Sequence, residues 1–200
     1  IAHKRVIFIG NGYDESWVKE AEKRGLSNYR TTPDCIPHML DKKNVELLTR
    51  EGIFSGKEIK SRVETTLENY SKTVLIEANT MVDMAQRDYL PAIEGFTAQL
   101  LDTLEKKEKY QSFAHSGYEK STIGKLSVLS DAIASASDEL SHAIVKAKGI
   151  SSEEEKSYAI RDTVIPLMQR LRASVDEAET ICASSYWPVP VYGDLLFSVR

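Results

Sequence analysis

Two hundred residues carry 26 Lys and Arg against 30 Asp and Glu, a formal net charge of −4 with a pI near 5.7. That balance argues against a nucleic-acid surface, which needs a basic field. The length allows one buried core, or one core with a small appendage. Cys35 and Cys182 stand far apart without metal-ligand spacing, as expected of a reduced intracellular protein, and no signal-peptide pattern or membrane-spanning apolar run is seen.

The chain starts Ile1-Ala2-His3-Lys4-Arg5 without an initiator Met and is expected to be a piece of something larger. Arg5–Ile9 reads as a short β-strand of β-branched and aromatic residues. A lone strand is unstable, so it needs a partner, either the C-terminal Asp194–Val199 run or an upstream sheet. Gly10-Asn11-Gly12 then turns the chain into a helix from about Asp14 to Arg24, stopped by Gly25. Thr32 as N-cap with Pro33 at the first helical position predicts a short helix disturbed by Pro37. A second helix containing Val45, Leu47 and Leu48 ends at Gly52.

The dominant stretch is Ser55 to about Lys109, which predicts a single very long helix. It opens on a capping box, with Ser55 at N-cap and Glu58 at N3. Val63, Leu67, Tyr70, Val74, Glu77, Met81 and Met84 form one seam at alternating spacings of three and four. Ala78, Val82, Ala85, Tyr89, Ile93, Phe96, Leu100 and Leu104 form a second. At about 1.5 Å per residue such a helix spans roughly 80 Å, against a radius of gyration of roughly 16 Å for a compact domain of this size. It must therefore project or bend, and Pro91 followed by Gly95 is the place for a kink.

A polar link, Gln111–Thr122, leads to a helix from about Thr122 to Lys148 with a seam of Leu126, Leu129, Ile133, Ala136, Leu140, Ala143 and Ala147. Gly149 ends it, and Ser151-Ser152-Glu153-Glu154 reads as a second capping box. The following helix has Val164, Met168, Leu171, Val175, Ala178 and Cys182 on its seam and Pro166 as a kink. The fold class expected is mostly α, an antiparallel bundle of three to four long helices with a short N-terminal strand and turn and an extended apolar tail. Residues 1–54 form the entry, 55–184 the bundle and 185–200 the tail. That tail, Tyr186-Trp187-Pro188-Val189-Pro190 through Phe197, is too apolar to float free and is expected to dock. Pro188 and Pro190 lack the spacing of a proline-rich recognition peptide.

Candidate chemistry is sparse. Gly10-Asn11-Gly12 follows a strand and precedes a helix, but Glu15 stands where a dinucleotide fingerprint needs its third glycine and no Walker lysine follows. Glu77 sits at a seam position, where a buried carboxylate must be paired or protonated; it reads either as a catalytic or metal carboxylate or, in preference, as part of an internal ion pair or hydrogen-bond network with Arg161 as the candidate partner. Asn79, Asp83 and Arg87 could form a polar ladder, and Met81 and Met84 fill core. His3, His38, His115 and His142 are scattered without ligand spacing. Lys42-Lys43 and Lys106-Lys107-Glu108-Lys109 read as solvated helix ends. No catalytic, cofactor-binding or metal residue is assigned.

Three stretches together carry a resemblance. They are Lys4-Arg5-Val6-Ile7-Phe8-Ile9-Gly10-Asn11-Gly12-Tyr13, then Ile76-Glu77-Ala78-Asn79-Thr80-Met81 with Met84-Ala85, then Tyr186-Trp187-Pro188-Val189-Pro190 with Tyr192-Gly193-Asp194-Leu195-Leu196-Phe197. In order and context they resemble the C-terminal region of type III glutamine synthetases, over essentially the whole chain. Glu20-Ala21-Glu22-Lys23-Arg24-Gly25-Leu26 and Ile59-Lys60-Ser61-Arg62 also look right. Departures are small: the family usually has Asn where Ile9 and Leu75 stand, and Phe and Thr where Val189 and Val191 stand.

The resemblance implies a parent enzyme that joins ammonia to glutamate through a γ-glutamyl phosphate, using ATP and a divalent metal (Mg2+ or Mn2+). It also implies a cytoplasmic complex of stacked homo-oligomeric rings, whose metal, ATP, glutamate and ammonia sites lie upstream of this segment. The segment itself would then be a non-catalytic helical part whose partners are the upstream catalytic domain and neighbouring subunits, not a nucleic acid or a membrane. The competing expectation is a stand-alone helical interaction or regulatory module.

Overall fold

The computed structural model describes residues 7–110, 114–190 and 192–197. The chain is mostly α, and among the described residues it contains no strand. By internal contacts it divides into two compact units, residues 1–63 and 64–200.

The smaller unit is a set of short helices tied by local devices. Helix α1 (Glu15–Lys23) is capped by Asp14, whose carboxylate accepts from the Ser16 N–H, and that bond holds the Asp14 pKa down. It stops in a Schellman motif: Leu26 N–H reaches the Ala21 carbonyl at 2.8 Å and Gly25 N–H the Glu22 carbonyl at 3.0 Å. That closure needs a left-handed residue, and Gly25 supplies it at φ 68°. Helix α2 (Thr32–Cys35) is capped by Thr31, one residue earlier than the sequence indicated, so Pro33 lies one position deeper in the first turn. The Thr31 hydroxyl can reach the Asp34 N–H, which outweighs the Thr-Pro pairing. A 3-10 turn over Ile36–Leu40 absorbs Pro37, and α3 (Lys42–Arg50) closes with the same glycine device at Gly52, φ 66°. Stacked Tyr29 and His38 (4.3 Å) and the Phe8–Trp17 pair (4.7 Å) add aromatic contact.

Ile7–Ile9 has no regular secondary structure, and Arg5 and Val6 lie outside the described residues. The internal partner proposed for that strand is gone, because Tyr192–Phe197 is a helix, α9.

Helix α4 (Gly56–Met84) starts on the expected capping box: Ser55 N–H donates to Glu58 Oε2 at 2.7 Å, and Glu58 N–H to Ser55 Oγ at 3.3 Å. It passes through a π-turn, Ala85–Tyr89, into α5 (Leu90–Tyr110). The reason for the π-turn is Pro91. Its ring lacks an N–H and collides with the Arg87 carbonyl in a regular helix, so the preceding turn widens until Leu90 N–H bonds to the Ala85 carbonyl. The same solution recurs at Pro166. Helix α7 (Glu153–Ala159) opens into a π-turn over Ile160–Val164, where Ile165 N–H bonds to the Ile160 carbonyl, and α8 (Ile165–Ile181) follows. The irregularity placed at the two prolines is therefore a widened turn just before each of them.

Helix α6 (Gly117–Lys148) is the centre of the larger unit, packed by α5, by α8 and by both π-turns. Its seam is the one read from sequence except at one position: Leu126, Ile133 and Leu140 have no exposure, Leu129, Ala136 and Ala147 are buried beside them, and Ile144 is buried where Ala143, half-buried, was expected. Ile93, Phe96 and Leu100 of α5 and Val164, Leu171, Ala178 and Cys182 of the last helical arm join the same core. Gly117–Ser121, read as link, is helix, because Glu119 is buried there against α5 and rewards continuation. The cap of α7 is Ser152, not Ser151, its hydroxyl accepting from the Glu155 N–H. Among the described residues no helix is long and apolar enough to cross a membrane.

Candidate functional site

Four places in the larger unit bring side chains from separate elements together. The first is where the tail seats. Helix α8 ends where Cys182 turns extended at ψ 140°, and Pro188 and Pro190 keep the chain from resuming a helix before α9. A tight turn follows, with Tyr186 N–H on the Ala183 carbonyl and Trp187 N–H on the Ser184 carbonyl. It lays Tyr186 against Phe96 (5.6 Å) and stacks Trp187 on Tyr89 of the π-turn (5.1 Å). The Tyr186 ring lies over Gly95, where a Cβ would meet two of its carbons at 3.4 Å, close contact without overlap. Read in sequence as a kink residue, Gly95 is instead the seat for that ring. Trp187 is buried with its indole Nε1 unpartnered, and burial also raises the Cys182 thiol pKa.

The second is an apolar cleft of ≈ 320 Å³ beside that stack, lined by Met81, Met84, Tyr89, Leu171 and Val175, with Arg172 and Asp176 on its rim. Burial raises the Tyr89 phenol pKa, and the carboxylates of Glu179, Asp88 and Asp176 push it the same way.

The third is a buried ion pair. Lys107 Nζ of α5 donates to Glu119 Oε1 of α6 at 2.5 Å and to the His115 carbonyl at 3.3 Å. Lys107 holds the Glu119 carboxyl below its usual range, while Glu119 Oε2 is buried without a partner. Sequence reading missed this pair, because Lys107 lies in a run that looks like a solvated end and Glu119 in a stretch without periodicity. The signal that existed was the chain reversal itself, which brings a C-terminal lysine opposite an N-terminal glutamate.

The fourth is a charged cleft of ≈ 210 Å³ lined by Glu68, Ser71, Lys72 and Leu75 of α4, Lys148 at the end of α6, and Glu153 and Lys156 of α7. Lys72 pairs with Glu68 and Lys156 with Glu153, each at 2.5 Å. Ser71 is 2% exposed and its hydroxyl has no partner. An unpartnered buried hydroxyl of this kind costs about 1–3 kcal/mol.

The residues singled out in sequence do not converge. Glu77 is exposed, not buried, because Ala78 and Val74 turn the buried face of α4 away from it. Arg161 does not serve it: its guanidinium pairs with Asp162 at 2.6 Å and lies over the Tyr158 ring. Of the ladder, Arg87 and Asp83 do pair at 3.0 Å, while Asn79 bonds back to the Leu75 carbonyl. Met81 and Met84 are half-buried and line the apolar cleft. Gly10-Asn11-Gly12 is exposed turn, and His38 bonds Asp41 while His142 bonds the Asp138 carbonyl. Among the described residues, no three His, Cys, Asp or Glu side chains are grouped to hold a metal ion.

A protein-family model described as the glutamine synthetase C-terminal domain matches residues 1–108, more than half of the chain. The chain belongs to that family. Its relatives extend the match to the whole chain. A glutamine synthetase of Butyrivibrio fibrisolvens is 37% identical over 200 residues, covering 100% of this chain and 29% of the relative. A type-3 glutamine synthetase of Dictyostelium discoideum is 30% identical over 98% of this chain and 27% of its own length. A glutamine synthetase of Bacteroides fragilis is 30% identical over 99% of this chain and 28% of its own length. The chain thus spans less than a third of these relatives. Of the tail expected to dock, Tyr186, Trp187 and Val189 pack on the core, whereas Leu195, Leu196 and Phe197 of α9 stand exposed.

Proposed function

We propose that this chain is the C-terminal, non-catalytic helical part of a type III glutamine synthetase, and that it buttresses or assembles the enzyme without doing chemistry. One observation carries the reading: the match to glutamine synthetases runs along the entire chain yet accounts for only 27–29% of each relative. The parent enzyme would ligate ammonia to L-glutamate with ATP and Mg2+ or Mn2+, in a cytoplasmic ring assembly. The side chains here do not fit that metal, since no three His, Cys, Asp or Glu side chains are grouped among the described residues. Its ligands and the nucleotide site belong to the upstream catalytic domain.

In this reading residues 1–54 are the exit from the catalytic domain, and the opening Arg5–Ile9 segment pairs with an upstream sheet. Residues 55–184 form an antiparallel three-to-four-helix buttress. Residues 185–200 are the tail, of which Tyr186 and Trp187 lock that buttress against Phe96 and Tyr89. The direct test is the 200-residue piece expressed alone. It is expected to fold with helical circular dichroism and to show neither glutamine formation nor tight ATP binding; turnover by the folded piece would refute the assignment.

A further inference from the structure

The C-terminal tail divides into two halves of opposite behaviour. Its first half is satisfied within the chain, where Tyr186, Trp187 and Val189 pack on the core of the larger unit. Its second half, α9, turns large apolar side chains to solvent: Leu195 is 63% exposed, Leu196 54% and Phe197 83%. The tail is held by its root and presents its tip. Three consecutive exposed apolar residues form the kind of patch that marks an interaction site. A helix of six residues is also too short to hold itself in water, where about 12–15 residues are needed even for good helix formers. The tip therefore calls for a surface to cover it.

Shape, charge and area select that surface. Successive helical residues stand about 100° apart, so Leu195, Leu196 and Phe197 spread over more than half of the circumference of α9. Such a tip fits a socket with walls on several sides rather than a flat face. The apolar cleft beside Tyr89 is not that socket, in this chain or in a second copy. The carboxylates of Asp88, Asp176 and Glu179 act on Tyr89 there, Arg172 is the one cation in the lining, and α9 brings a further carboxylate, Asp194. Covering the three side chains removes on the order of 400 Å² from water, about half of the roughly 800 Å² per partner that free proteins need for a stable complex. A contact that small holds when a covalent connection keeps its partner near, at an effective concentration of about millimolar. The chain spans 27–29% of its relatives and matches their C-terminal end, so the length that can supply a tethered socket lies upstream.

We propose that α9 is a hook that inserts Leu196 and Phe197 into an apolar socket on the upstream catalytic domain of its own polypeptide, while Tyr186 and Trp187 hold the root of the tail on the helical core. The inference rests on the reading of this segment as the C-terminal part of a longer synthetase, and it names the contact through which the helical part grips the domain before it.

The test places p-benzoylphenylalanine at position 197 of the full natural chain, an aromatic replacement that keeps an apolar ring there, and irradiates the assembled protein. The denatured product is expected to run at the mass of one polypeptide, with cross-linked peptides mapping N-terminal to this segment. A product of twice that mass would put α9 on a neighbouring copy, cross-links into residues 64–190 would put it on its own core, and no cross-link would leave it in solvent. Each of these three results overturns the proposal. Hydrogen exchange on the same full chain gives a second reading: the Leu195 and Leu196 amides should exchange at least about tenfold faster in Phe197→Asp than in wild type, and equal rates would also overturn it. The mass of the chain before irradiation tests the underlying reading separately. A polypeptide of 22.4 kDa removes the synthetase assignment and the hook with it, whereas a much larger one without an upstream cross-link removes the hook alone.

Discussion

The two units reach stability by different means. In residues 1–63 the work is done by devices a few residues long: Asp14 and Thr31 at helix starts, Gly25 and Gly52 at helix ends, Tyr29 on His38. Among its described residues only a handful of apolar side chains are buried, Ala21, Ile59 and Val63 among them. Residues 64–200 instead share one core, in which Ile93, Leu126, Ile133, Leu140 and Ile160 have no exposure at all. Substitutions in the first unit should cost what a cap or a turn costs. Those in the second should cost what a cavity costs.

That contrast can be broken in order of expected effect. Trp187→Ala removes the ring that stacks on Tyr89 and leaves a void in the core, and should lower stability by about 3–5 kcal/mol in a denaturant titration. Ile133→Ala on α6 should cost about 2–5 kcal/mol for the same reason, with the size of the unfilled cavity deciding where in that range it falls. If either variant melts like wild type, the shared core is not what holds the larger unit.

An acid titration tests the α5–α6 ion pair. The Glu119 carboxyl is held below its unfolded value by Lys107, so its contribution is complete above the ordinary carboxylate range and disappears as pH falls through the folded value. Melting temperature should therefore fall on acidification, and Glu119→Gln should flatten that fall while lowering the plateau at neutral pH. A Gln variant with the same pH profile as wild type would remove the pair from the account.

Smaller effects belong to the first unit. Gly25→Ala places a Cβ at φ 68° and should cost about 1 kcal/mol, well below the core variants. Glu77→Gln should leave melting unchanged, because that side chain is exposed, contrary to what its seam position indicated.

Much of the larger unit was legible because its helices repeat a heptad pattern long enough to average over errors. The α6 seam from Leu126 to Ala147 is the clearest case, and the Ser55–Glu58 capping box is another. What was not legible depended on a one-residue choice or on a partner distant in sequence. The caps at Thr31 and Ser152 each moved by one residue, because adjacent hydroxyls compete for the same N–H groups. Glu77 failed because two overlapping stripes on α4 leave the buried face ambiguous, and small Ala78 won over it. The role of Gly95 was hidden in the same way, since the ring it accommodates, Tyr186, is far downstream. The Lys107–Glu119 pair and the Ser71 cleft join helices whose facing register a single sequence does not reveal.

The most direct measurement is the mass of the natural polypeptide, read from an extract with an antibody raised against this segment and followed through size-exclusion chromatography. Membership as the C-terminal part of a type III glutamine synthetase predicts a band far above 22.4 kDa that elutes in a large assembly together with glutamine-forming activity. A band near 22.4 kDa, separate from that activity, would contradict it and leave a stand-alone helical protein in its place.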